Sequence, residues 1–317
     1  MTDVKLVRNV AILGHGNCGK TTLAEAMLYS AGKINRLGKV DDGSSSMDFE
    51  PEEIKRDISI NASFNHYTWN KHEVFLADTP GDDNFINETK FVARVADSAL
   101  FCIGAATSVK NQTTKFTDFI EERKIPTIIC ITRMDRERAN FAGVIEGIKA
   151  NLPMKPAITY VPIGAEDNFK GVVNVLNQKA YMFDDKGKVS EAEIPEDMAD
   201  EIAVYRESLM EQVAETDDDL IEKFLEEGEL TDEDLFNGLK SGVRSGRRFR
   251  LLPGSAAGRR CRSVCNKPVL HSAAVPCRLL RAGGIDRPTW RGCVCRHSGT
   301  TCKLTGHQPP AGFPPTP

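Results

Sequence analysis

The stretch GHGNCGKTT, Gly14 to Thr22, fits the pattern G-x-x-x-x-G-K-[ST], and its flanks are those the pattern requires. The apolar run NVAIL precedes it and TTLAEAMLYSAG follows, so the glycines stand between a predicted strand and a predicted helix. That context sets aside a chance glycine-rich turn. Gly16 and Gly19 let the backbone fold tightly, so that consecutive N–H groups point at phosphate oxygens with the helix dipole behind them. Gly14, His15, Gly16, Asn17, Cys18, Gly19, Lys20, Thr21 and Thr22 therefore form a candidate nucleotide loop. Lys20 is placed to bridge the β- and γ-phosphates, and the Thr21 hydroxyl to ligate Mg²⁺.

Outward from this loop, the first 165 residues alternate apolar strand-like runs with amphipathic helix-like ones. The alternation predicts an α/β domain, a mostly parallel sheet with helices on both faces. In the first helix Leu23, Met27 and Ala31 are spaced by four, one apolar stripe ending at Gly32. HEVFLAD, SALFCIGA and PTIICIT read as buried strands. Between that helix and HEVFLAD lies RLGKVDDGSSSMDFEPEEIKRD, polar and Gly/Ser-rich. A loop of that length in a compact domain points to function.

A phosphate loop serves ATP and GTP alike, so the strand ends must discriminate. DTPG, Asp78 to Gly81, closes HEVFLAD; Asp78 can hold Mg²⁺ through a water and the Gly81 amide can meet a γ-phosphate. TRMD, Thr132 to Asp135, closes PTIICIT. A carboxylate at Asp135 can accept from both N1–H and the 2-amino group of guanine, whereas adenine has a lone pair at N1 and no 2-amino group. A site built around such hydrogen bonds discriminates by roughly 10⁴, which favours GTP.

With GHGNCGKT, MDFEPEEIKRDISI, DTPG, TRMD and IGAEDNFKGVVNVL in place, the chain resembles the GTP-binding domain of the translational GTPases, elongation factor G above all, from about Val4 to Gly246. The resemblance implies a P-loop GTPase domain with an inserted α+β subdomain, GTP and GDP as ligands, Mg²⁺ as cofactor and the ribosome as partner. It implies GTP hydrolysis coupled to translocation or recycling in the intact family, with Lys20 and the residue after DTPG in the catalytic centre. It also implies that Ser59, within RDISI, stands where a switch threonine closes over Mg²⁺ and the γ-phosphate; serine keeps the hydroxyl and loses a methyl group.

Two departures bear on function. The family's base-reading motif begins Asn-Lys, here Thr132-Arg133. Threonine can bond nearby backbone and the arginine stem can lie over the base, so guanine selectivity is expected to survive on Asp135. The family's histidine after DTPG, which positions the attacking water, is Asp82 here. A carboxylate is repelled by the γ-phosphate and cannot donate a hydrogen bond to it. The expectation is GTP binding with slow hydrolysis, as in a subgroup of elongation factor G-like proteins that lacks this histidine.

These signals divide the chain into a core over 1–157, an insert over 158–246 and a tail over 247–317. In the insert, GVVNVLNQKAYMF reads as strands around a turn at DDKGK, and Met198, Ile202, Leu209 and Val213 recur at helical spacing before a last helix that Thr231 can cap. Its many acidic residues read as a solvated face. Residues 1–240 carry 27 basic and 44 acidic residues, a net −17, whereas 241–317 carry 14 and one, a net +13, which together give the −4 of the chain. Six of the nine cysteines also lie in that last part.

GSAA, Gly254 to Ala257, resembles the family's last guanine-contacting motif, with Ser255 and Ala256 near the base. Yet RRFRLLP and GRRCRSVC around it do not read as the strand and helix that should flank it. Residues 259–317 fit a metal or nucleic-acid module, a disordered basic tail, or translation in a shifted frame; the last accounts at once for the loss of acidic residues, the rise of Arg and Cys and the end of periodicity. A truncated nucleotide-binding module without turnover, or a nucleic-acid binder acting through the tail, are the competing functions. No apolar run approaches the roughly 18 residues of a membrane span. The expected protein is a soluble, cytoplasmic monomer with no metal cluster and no membrane partner.

Overall fold

The computed structural model describes residues 3–152, 156–184, 189–244 and 249–253. β1 (Val7–Gly14) runs through the glycine loop into α1 (Lys20–Ser30), as the flanks of GHGNCGKTT require. There follow α2 (Pro51–Arg56), β2 (Ser63–Trp69), β3 (His72–Asp78), α3 (Ile86–Val95), β4 (Ser98–Gly104), α4 (Asn111–Arg123), β5 (Thr127–Thr132), α5 (Phe141–Asn151) and β6 (Pro156–Ile158). With a late strand β11 (Phe249–Pro253) they build a seven-stranded sheet in the order β2-β3-β1-β4-β5-β11-β6. Every pairing in it is parallel except that of β2 with β3. β5 is buried along its whole length, which is why its sequence is a continuous apolar run rather than an alternating one. β2, at the edge, alternates buried and exposed positions and mixes polar with aromatic residues, so it carried no clear strand signal.

Two local expectations differ from the structure. α1 is not a one-stripe helix: Leu23, Ala24, Ala26, Met27 and Leu28 are all buried, and so is Glu25. Its outer face is covered by the long polar loop, whose Gly38 and Ser46 amides donate to the Glu25 carboxylate at 3.1 and 2.5 Å. Phe249–Pro253, which the sequence groups with the tail, is a strand of the main sheet between β5 and β6. Its five residues sit beside a run of arginines, and only the register with β5 (Leu251 with Ile129, Pro253 with Ile131) makes it a strand.

The second layer is the insert. β7 (Tyr160–Ile163), β8 (Gly171–Asn174), β9 (Lys179–Phe183) and β10 (Val189–Ala192) form an antiparallel meander, so GVVNVLNQKAYMF is itself two strands joined by a turn at 175–178, and most of DDKGK lies outside the described residues. α6 (Ala199–Ala214) packs against β6, α7 (Asp218–Glu227) and α8 (Asp232–Arg244). Ile202, Leu209 and Val213 form its buried stripe, and the Thr231 hydroxyl accepts from Asp234 N at 3.2 Å to cap α8. α8 approaches α6 so closely that a Cβ on Gly238 would lie 2.5 Å from Val213 Cγ1. Arg206 of α6 locks this layer: Nη1 donates to the Val175 and Leu176 carbonyls at 3.1 and 2.6 Å, and Nη2 to Asp232 at 2.9 Å.

Candidate functional site

At β1 the sheet order changes direction, with β3 on one side and β4 on the other. Open α/β sheets hold their ligands outside the carboxyl ends of the strands at such a point. The registers bring the three motifs there together: Ile12 is level with Asp78, Gly14 with Cys102, and Gly104 with Thr132. The glycine loop, DTPG and TRMD thus share one edge of the sheet.

Close approach dictates Gly14 and backbone conformation Gly19, whereas a Cβ on Gly16 would meet only the Gly81 carbonyl, its oxygen at 3.7 Å, so the fold does not require the glycine that the sequence suggests there. A Cβ on Gly14 would lie 2.4 Å from the Cys102 carbonyl oxygen, and Gly19 caps α1 at φ +88°. Lys20, buried although charged, donates from Nζ to the His15 carbonyl at 3.0 Å. His15 is buried too, with Nδ1 donating to Gly16 O at 2.7 Å, so Nε2 accepts from Gly104 N at 3.4 Å and faces Thr107 Oγ1 at 3.1 Å. Burial holds its pKa below the ordinary histidine value. The Cys18 side chain turns inward against Cys102. Burial opposes its ionisation, but the Cys102 hydrogen bond and the nearby Lys20 charge outweigh it, so Cys18 lies below and Cys102 above the usual thiol range. Asn17 is exposed and Gly16, Gly19 and Thr22 are half-buried, so the mouth of the loop is open.

Beside Lys20 four oxygen-bearing side chains converge. Thr21 Oγ1 donates to Asp78 Oδ2 at 2.6 Å and lies 3.4 Å from Ser59 Oγ, and Ser59 Oγ donates to Asp48 Oδ1 at 2.9 Å. Asp78 Oδ1 and Asp48 Oδ2 are buried without a hydrogen-bond partner among the described residues. Burial pushes the Asp78 carboxyl up to about 7, with Lys20 and Thr21 pulling the other way, and burial raises Asp48 as well. Two hydroxyls and two carboxylates with orphaned oxygens fit a hard divalent cation. Among the described residues no group of three or more His, Cys, Asp or Glu side chains is placed to hold a metal. Asp48 is the member the sequence did not single out; its only signal was its place in MDFEPEE.

DTPG is pinned from both sides, Thr79 Oγ1 donating to Ile12 O at 2.7 Å and Thr89 Oγ1 to Pro80 O at 2.8 Å. A Cβ on Gly81 would lie 2.4 Å from Lys20 Nζ and 2.6 Å from Gly16 N, so this backbone rests on the glycine loop. Asp82 then caps the 3-10 turn Asp83–Phe85: its Oδ1 accepts from Asn84 N at 2.9 Å and Asn84 Nδ2 at 2.8 Å. Asp83 is held by Lys115 of α4 at 3.2 Å.

At TRMD, Thr132 Oγ1 donates to the Cys18 carbonyl at 2.5 Å and lies 3.2 Å from Ile103 O, tying this motif to the glycine loop. Arg133 adopts φ +59°, and Asp135 Oδ1 is buried with no partner, a free acceptor on the same edge. Glu166, at the start of the insert, braces this loop through its N–H to Met134 O (2.8 Å) and its carboxylate from Arg138 N (2.6 Å), a support that its distant position in sequence concealed. β11 runs to the same edge and ends at Pro253. Ser255 and Ala256, and the cysteines of the tail, lie outside the described residues.

Comparison with known proteins fits this geometry. The sequence pattern of the family described as Elongation factor Tu GTP binding domain matches residues 5–269. Elongation factor G 1 of Synechocystis sp. is 35% identical over 257 residues, which is 80% of this chain and 37% of that protein. A crystal structure of a protein from Thermus thermophilus superposes with a TM-score of 0.78 at 28% identity, over 86% of this chain and 40% of the other. The chain spans about two fifths of the length of these relatives. Among the described residues no helix is long and apolar enough to cross a membrane.

Proposed function

This chain belongs to the elongation factor Tu GTP binding domain family, and from that premise we propose that it binds GTP and GDP with Mg²⁺ and cleaves GTP slowly at the β–γ phosphoanhydride. The observation that carries the proposal is the unpaired buried oxygen of Asp135 on the edge that also holds the glycine loop. Lys20 and the loop amides, from Gly14 to Thr22, would hold the phosphates, and Thr21 and Ser59 would ligate the cation, with Asp78 and Asp48 behind them. Bound Mg²⁺ would neutralise charge on the β- and γ-phosphates. Gly81 would sense the γ-phosphate with its amide, Thr132 and Arg133 would frame the base and Asp135 would read guanine. Titration with GTP, GDP and ATP tests this; ATP binding as tight as GTP would overturn the role of Asp135.

Slow cleavage follows from Asp82. Its carboxylate is engaged with Asn84, and a carboxylate accepts hydrogen bonds but offers no N–H of the kind an imidazole brings to a water beside a γ-phosphate. The expected readout is single-turnover hydrolysis that rises in Asp82→His, with and without ribosomes; an unchanged rate would sink the assignment. Ribosome-coupled turnover in a soluble, cytoplasmic, monomeric protein remains the family-level part of the proposal. Nucleotide affinity with no ribosome-stimulated hydrolysis would favour a binding module instead.

A further inference from the structure

We propose that Glu53 is a positioning residue for Ser59: its buried carboxylate sets the backbone that presents the Ser59 hydroxyl to the Thr21–Asp78 pair. The inference rests on the GTP·Mg²⁺ function proposed above. Glu53 is only 1% exposed, although glutamate is almost never fully buried unless its charge is met. Here it is met by backbone. Oε1 accepts from Ile60 N at 2.8 Å and from Asn61 N at 2.9 Å, and the Glu53 carbonyl accepts from Ile58 N at 3.3 Å. The amides on either side of Ser59 therefore all hang from one residue. Oε2 has a different task, accepting from Glu50 N at 3.2 Å to cap α2.

Helix capping alone would account for Oε2 and leave the Ile60 and Asn61 bonds without a purpose. Those bonds fix the direction in which the chain passes Ser59, whose hydroxyl then meets Asp48 at 2.9 Å and Thr21 at 3.4 Å. This segment has little periodic structure of its own between α2 and β2. Without the carboxylate the hydroxyl would be free to leave the cluster, and among the contacts within the cluster only those made through Ser59 would be lost.

The experiment compares GTP affinity in Mg²⁺ with that in EDTA, the ratio being the Mg²⁺ coupling, for native protein, Ser59→Ala, Glu53→Ala, Glu53→Gln and the Glu53→Ala/Ser59→Ala double variant. Partners one shell from a metal typically account for about 10- to 100-fold in affinity, so each alanine variant should lose on the order of tenfold of the coupling while EDTA affinity holds. The double variant should lose no more than either single, because two changes acting through one contact do not add. Glu53→Gln keeps an amide oxygen for Ile60 and Asn61 and should restore most of the coupling, even where Glu53→Ala lowers the melting temperature. Additive losses, or equal losses in EDTA and in Mg²⁺, would overturn the positioning role and leave the function standing. A native protein without Mg²⁺-dependent GTP binding would overturn both.

Discussion

Replacing Asp135 by asparagine changes one atom of the proposed base reader and should change which base is read. Asp135 Oδ1 is buried without a hydrogen-bond partner among the described residues, so none of these compensates a change there. Guanine would donate N1–H and its 2-amino group to the carboxylate, two hydrogen bonds to a charged acceptor at about 1.5–3 kcal/mol each. An amide retains one acceptor and turns a second donor toward the 2-amino group. The expected loss is about 3–5 kcal/mol, on the order of 10²- to 10⁴-fold in GTP affinity. Xanthine carries a carbonyl where guanine carries that amino group, so the amide should pair with it and xanthosine triphosphate should overtake GTP. Displacement of a fluorescent guanine nucleotide by GTP, xanthosine triphosphate and ATP reads both effects, with a melting curve as the control for folding. A loss below about tenfold, or an unchanged order of preference, would refute the assignment of this carboxylate to the base.

Gly81→Ala forces its Cβ against Gly16 N and the His15 carbonyl carbon, both at 2.6 Å; displacement of about 1 Å can cost on the order of 10²-fold in rate, so single-turnover GTP cleavage should collapse while GDP affinity changes less. Arg206→Met keeps the aliphatic stem but abandons two carbonyls and Asp232, and should lower stability by about 1–3 kcal/mol in urea unfolding without altering nucleotide affinity. In EDTA and without nucleotide, Asp78 should make the fold less stable as pH rises. Its folded pKa of about 7 exceeds the 3.8 of the unfolded chain, so its contribution is full below about 4, falls between about 4 and about 7 as only the unfolded chain releases the proton, and is flat above. The native-minus-Asp78→Asn difference in melting across that range isolates this slope; a difference that does not vary with pH would contradict it.

Much of this site is visible in the primary structure because its constraints are local. GHGNCGKTT needs glycine at Gly14, where a Cβ would strike Cys102, and at Gly19, where φ is positive, so these positions can be recognised one residue at a time. DTPG and TRMD stand at the ends of apolar runs because β3 and β5 stay buried up to their carboxyl ends, where Asp78 and Thr132 begin the motifs. Thr132 was expected to find backbone, and it reaches the Cys18 carbonyl.

Asp48, Glu25, Glu53 and Glu166 could not be found that way. Each is one carboxylate among many in an acidic chain, and what sets it apart is a set of N–H or hydroxyl donors brought from elsewhere in the chain. β11 is a strand because β5 and β6 flank it, not because its five residues alternate. The amino-acid order alone pointed to the groups proposed to hold phosphate and read a base, since those tasks select residue types at fixed spacing. Only the packed chain decided that Ser59 meets Thr21 and Asp48, and that Asp82 turns its carboxylate back onto Asn84, since those contacts depend on where a folded loop directs its side chains.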